Sequence, residues 1–168
     1  MRFQKTAILC AATTLVTGCV SYHDPRPAEQ QSADLHQATV ALAGNYTVVD
    51  SRNDDNYGIT GIVIWKSPNT DDMNVTTVNA KGESHALSGH ACHGFYSVAR
   101  GLASAICDAP VGQVMFIDVT RQEQATTVKD GATFFAFPPM PVPGGSVLLN
   151  IGDHGGRSHY YVLLKKPE

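Results

Sequence analysis

Residues 59–66 read Ile59-Thr60-Gly61-Ile62-Val63-Ile64-Trp65-Lys66, and this stretch decides the fold class. Side chains alternate sides along an extended chain, so Ile62 and Ile64 point one way and Val63 and Trp65 the other. With apolar groups on both sides, the segment is predicted to be a strand buried on both faces and central in its sheet. Asn45 to Val49 precedes it across the polar loop Asp50 to Gly58, giving a hairpin with a long acidic tip. Met73 to Ala80 follows the turn Pro68-Asn69-Thr70-Asp71 and reads as the next strand.

The same reading extends towards the C-terminus. Val114 to Val119 places Met115, Ile117 and Val119 on one face, and Thr133 to Phe137 is aromatic-rich, so both are expected strands. Val147 to Ile151 and Tyr160 to Leu164 are joined by a glycine-rich segment, Gly152 to Ser158, suited to a hairpin loop with positive φ.

Two segments carry helical periodicity instead. Leu35 to Ala43 puts Leu35, Thr39 and Leu42 on one side with Gly44 as a stop. In Phe95 to Ile106 the apolar residues Phe95, Val98, Leu102, Ala105 and Ile106 recur at three and four, opposite Ser97, Arg100 and Ser104, which predicts an amphipathic helix laid on a sheet. The fold class expected from these signals is mainly β: an antiparallel β-sandwich or small barrel of seven or eight strands with one packed helix.

The chain of 168 residues opens on a basic pair, Arg2 and Lys5, followed by an uncharged, mostly apolar run from Thr6 to Thr17. That order is a secretory n-region and h-region. The run falls short of the ~20 residues a membrane-spanning helix requires. It ends Leu15-Val16-Thr17-Gly18-Cys19, which resembles the lipobox of bacterial lipoproteins. The resemblance covers residues 1–19. It implies cleavage before Cys19, a diacylglyceryl group on the Cys19 thiol and an acylated new amine. Each buried CH₂ of such chains adds about 0.8 kcal/mol of membrane affinity, so two or three chains hold a domain durably. Val20, where an inner-membrane lipoprotein of enteric type carries Asp, implies the outer membrane. The resulting organisation is a signal peptide (1–18), a lipidated Cys19 with a proline-containing flexible tether (19–34), and a single globular β-rich domain (35–168).

Loss of the signal leaves ten basic against fifteen acidic residues, a net charge of −5. No basic stripe for nucleic acid remains. Of the four cysteines, Cys10 leaves with the signal and Cys19 carries lipid. Cys92 and Cys107 are then the only thiols in an oxidising compartment and are expected to pair. A straight helix from 95 to 106 would be ~17 Å long, whereas bridged Cα atoms lie within ~7 Å, so pairing requires the helix to contract to about Ser97–Ser104.

Polar side chains are densest in His85-Ala86-Leu87-Ser88-Gly89-His90-Ala91-Cys92-His93. Imidazoles and a thiolate are a ligand set for zinc or copper, and His154 and His159 of the last hairpin could complete it in space. The spacing matches no compact zinc motif, and no cofactor is expected. Gly82-Glu83-Ser84-His85-Ala86 approximates a nucleophile elbow but lacks its last glycine, and the strands do not alternate regularly with helices, so no catalytic residues are assigned. Phe137, Pro138, Pro139, Met140 and Pro141 open a proline-rich stretch. It reads as a rigid crossover between strands, and it is also the best sequence candidate for a partner contact.

These features point to a non-enzymatic binding or structural module of the bacterial envelope, membrane-anchored through its lipid and with an envelope protein as partner. Within that class an immunity or inhibitor protein against a toxin or lytic enzyme is the specific alternative. A periplasmic metal-binding protein using His85, His90 and His93 is the other.

Overall fold

The computed structural model describes residues 24–53, 58–112, 114–129 and 138–167. One helix, α1 (Ala28–Leu42), is followed by eleven strands: β1 (Gly44–Arg52), β2 (Ile59–Lys66), β3 (Met73–Asn79), β4 (Ser84–Ser88), β5 (His90–Ser97), β6 (Leu102–Val111), β7 (Val114–Arg121), β8 (Thr126–Val128), β9 (Met140–Val142), β10 (Val147–Asp153) and β11 (Ser158–Lys165). Nine of them form one antiparallel sheet in the order β4-β3-β2-β1-β11-β10-β7-β6-β5, and β8 pairs with β9 separately. The sheet curls until its two ends nearly meet. At Gly89, between β4 and β5, the N–H donates to Met73 O at 3.0 Å, and a Cβ there would stand 2.8 Å from the Cβ of Cys107 on β6. The molecule is thus a nearly closed β-barrel with a small outer layer, the expected class with more strands than seven or eight.

The core is the inside of the barrel. Tyr46, Ile62, Ile64, Val75, Ile117, Val119, Leu149 and Tyr161 are buried there. Outside it, β8 and β9 cover part of the convex face, where Val128, Met140, Val142 and Val162 form a second cluster.

The inner face of β6 explains where the helix sits. Ala103, Ala105, Cys107 and Ala109 alternate inward, all buried and all small. Small side chains leave room for a second layer, and α1 fills it by packing against β5 and β6. Gly94 of β5 faces Leu35 so closely that any Cβ would collide with the helix backbone. Leu42 at the other end of α1 is fully buried, and its carbonyl accepts the Tyr46 hydroxyl at 2.6 Å.

Several expectations are corrected here. Phe95–Ile106 is not a helix. It is the tip and arms of the β5–β6 hairpin, with one 3₁₀ turn at Val98–Arg100 and Gly101 in the left-handed region at φ 56°. The apolar spacing that suggested a helix includes Val98, 78 % exposed, and Ile106, 46 % exposed. The hairpin also removes the conflict with pairing: a bulge at Ala91 (φ 48°) sets Cys92 against Cys107 at disulfide distance, Cα atoms 4.1 Å apart.

The strand β2 is buried on one face only, since Trp65 is exposed and only the Ile62–Ile64 side reaches the core. Met115 is likewise exposed, because a register shift beside it breaks the alternation and Val114 turns inward instead. Part of the expected tether is helical: residues 28–34 belong to α1, which starts at Ala28 rather than at Leu35. Arg26 pins this stretch, pairing with Asp24 (2.5 Å) and Asp34 while donating to Gly94 O at 3.0 Å. The expected strand Thr133–Phe137 lies outside the described residues.

Candidate binding cavity

A cavity of about 440 Å³ opens at one end of the barrel. Its walls come from strand ends that the hairpin turns bring together: Thr77 and Asn79 of β3, Glu83, His85, Ala86 and Leu87 around β4, Val114 of β7, Ile151 and Asp153 of β10, and His159 and Tyr161 of β11. Ile59, Leu87, Val114, Ile151 and Tyr161 make the depth apolar, and the polar groups gather at the rim. A preformed, mostly apolar recess with a few convergent polar groups is the usual form of a small-ligand or peptide-anchor site.

The rim is held by hydrogen bonds within its turns and between the β10–β11 turn and Asn53. In the β10–β11 turn the Arg157 N–H donates to Asp153 Oδ1 at 2.9 Å, and Arg157 Nε stands 3.4 Å from Asp153 Oδ2. The Arg157 backbone N–H is the main cause that holds the Asp153 carboxyl below its ordinary value, with the Arg157 charge adding to it against the opposing effect of burial. His159 Nε2 lies 3.6 Å from Asp153 Oδ2, and its Nδ1 meets the carbonyl of Asn53, an acceptor only, which places a hydrogen on Nδ1. Asn53 in turn donates to Ser158 O at 2.8 Å, tying the turn to the end of β1. Across the mouth, Glu83 Oε2 accepts from Asn79 Nδ2 at 2.6 Å. The carboxylates are therefore held by neighbours.

The five histidines weighed as metal ligands are divided by the fold. His85 and His159 line this cavity, but His90 and His93 lie on β5, exposed, and His154 is exposed in the β10–β11 turn. Among the described residues no three His, Cys, Asp or Glu side chains gather as a ligand group. Cys92 faces Cys107 and accepts the Met73 N–H at 3.3 Å. Ser84 opens the edge strand β4 rather than sitting on a strand-to-helix turn, so the elbow geometry is absent.

The proline-rich stretch is divided between its two readings. Met140 and Val142 are buried against the barrel as part of β9, which makes the segment a packed crossover; Pro138, Pro139 and Pro141 remain exposed. Pro138 O accepts from Arg52. Phe137 and Cys19 lie outside the described residues.

Sequence reasoning reached His85 and His159 but missed Glu83, Ile151 and Tyr161. The signal was present in the last hairpin, where Ile151 and Asp153 on one strand and His159 and Tyr161 on the other fall at alternate positions and so share a face. Comparison with known proteins finds no counterpart: no family model, no curated protein and no solved structure matches this chain.

Proposed function

We propose that this chain is a lipid-anchored protein of the bacterial envelope, probing its surroundings as a non-enzymatic binding module through the cavity at the barrel end. The carrying observation is the cavity itself, about 440 Å³ with apolar walls and a polar rim. Support for binding over catalysis comes from the rim carboxylates, which are engaged by Arg157, His159 and Asn79. A carboxylate acting as general base must be poised for a substrate proton rather than held by its neighbours. The lipobox at Leu15–Cys19 supports the anchor. An outer-membrane location follows from Val20 by the same resemblance, and the partner is a component of the envelope.

Two measurements test this reading. Cells fed labelled palmitate should label the parent chain and not Cys19→Ala; acylation and unchanged processing of that variant would contradict the anchor. His85 is exposed at the cavity rim, so His85→Trp should fill the mouth without disturbing the core. Envelope material retained by residues 20–168, which hold every described element, should be lost with His85→Trp. Equal retention by both would contradict the cavity as the binding site.

A further inference from the structure

Strand β4 borders the cavity and, among the described residues, has no strand on its outer side. Although β4 and β5 are separated by Gly89 alone, they stand at opposite ends of the strand order and do not pair. The seam closes where Gly89 meets Cys107. Beyond that contact the cavity lies between β4, which supplies His85, Ala86 and Leu87, and the β6–β7 turn, which supplies Gly112 and Val114.

The ladder determines which backbone groups face this opening. Antiparallel pairs alternate between hydrogen-bonded and non-hydrogen-bonded. The Asn79 N–H donates to Glu83 O at 3.0 Å and the Gly89 N–H to Met73 O at 3.0 Å, so in the register between them the bonded pairs are Thr77 with His85 and Val75 with Leu87. Ser84, Ala86 and Ser88 therefore turn their N–H and C=O groups away from β3, towards the open side. None of the three is charged or proline, so these positions carry neither of those two guards against strand addition.

We propose that an extended peptide segment of a partner protein adds to β4 as a further strand, its alternate apolar side chains entering the cavity. This names the ligand class for the binding-module reading and rests on it. The occupant follows from complementarity. Alternating partial charges of amide donors and acceptors along Ser84, Ala86 and Ser88 match another extended backbone, and the walls at Leu87, Val114 and Ile151 match apolar side chains. A second copy of this chain fits poorly, because its edge strand would bring a whole sheet into a seam that closes at Gly89 and Cys107. A single extended chain brings nothing with it.

The test titrates residues 20–168 with a fluorescently labelled octapeptide of alternating valine and threonine, solubilised by a terminal lysine, and reads anisotropy. The parent is expected to bind saturably. Ala86→Pro removes an outward N–H and leaves the β3 ladder intact, so affinity should fall about tenfold or more, as for a lost hydrogen bond that strands its partner. Peptide N-methylated at alternate residues should show the same loss with the protein unaltered. Undiminished binding by Ala86→Pro, or no binding of the peptide to the parent, overturns strand addition. Parallel titration with the apolar dye anilinonaphthalene sulfonate separates the two claims: dye bound at a mouth that His85→Trp closes, with no peptide bound, sinks strand addition and leaves the cavity reading standing, whereas neither bound sinks both. A dimer seen by sedimentation and dissolved by Ala86→Pro would assign the edge to a second copy and overturn the peptide.

Discussion

Asp118 of β7 lies across the ladder from Ile106 on one side and Asn150 on the other, and burial pushes its carboxyl above the ordinary value of 3.8, against a weaker opposing hydrogen bond from Thr120. A raised carboxyl binds its proton more tightly folded than unfolded. Its contribution to stability is thus full below the unfolded value and falls as the pH rises through the folded one. Asp118→Asn cannot ionise, and its amide brings N–H groups beside Asn150 Oδ1, which has no partner among the described residues. The variant is expected to melt above the parent at pH 7, with the gap closing below about pH 4; a gap independent of pH would contradict the burial account. Asp24 has the opposite sign. Its hydrogen bonds from Arg26 hold it at about 2 against an ordinary 3.8. The stability it gives is present above 3.8 and lost as the pH falls towards 2. Protection factors of the amides in the first turn of α1 should therefore drop over that window in the parent, and at neutral pH in Arg26→Ala; protection unchanged in Arg26→Ala would mean that the Arg26 contacts do not hold the turn.

The helix and the β5–β6 hairpin stabilise one another across small strand residues, Gly94, Ala103 and Ala105. Gly94→Ala would drive a methyl into the backbone at Leu35, and overpacking of this kind costs about 1–3 kcal/mol. Leu42→Ala removes a fully buried side chain at the other end of α1 and should cost about 2–5 kcal/mol. Denaturant melts of both variants check these values, and a Gly94→Ala chain as stable as the parent would mean that the helix does not lie on β5. Reduction of Cys92–Cys107, whose sequence separation is 15, releases a loop worth about 3 kcal/mol in the chain-entropy model, so the melting temperature should fall by roughly 6–12 °C. These elements were also the hardest to read in the sequence. Alternating strands such as β2, β10 and β11 were legible because branched and aromatic residues mark them. The strand β6 was not, because its buried face is Ala103, Ala105, Cys107 and Ala109, residues with little strand preference that are there to admit a helix. The strand β4 was hidden inside a histidine cluster because its residues are mostly exposed at the sheet end. The start of α1 depends on Arg26 reaching Gly94, a contact 68 residues away in the chain that no local pattern announces.

At the scale of the molecule, the barrel divides its interior between two uses. One part is filled by α1 against the small-residue strand, and the remainder, at the end where the β3–β4, β6–β7 and β10–β11 turns gather, is left as the cavity. That recess, about 440 Å³, is the site proposed to take the ligand. Its histidines were visible in the sequence as a polar cluster. Their separation into cavity-lining (His85, His159) and exposed (His90, His93, His154) positions depends on barrel closure, which the sequence does not encode locally. The claim that this cavity is the binding site is tested most directly by mapping backbone amide shifts in residues 20–168 during titration with anilinonaphthalene sulfonate. Saturable shifts are expected at Ser84 to Ser88, Ile151, Asp153, His159 and Tyr161, and their loss in His85→Trp. Shifts confined to the outer β8–β9 layer, or to exposed Trp65 and Leu164, would contradict it.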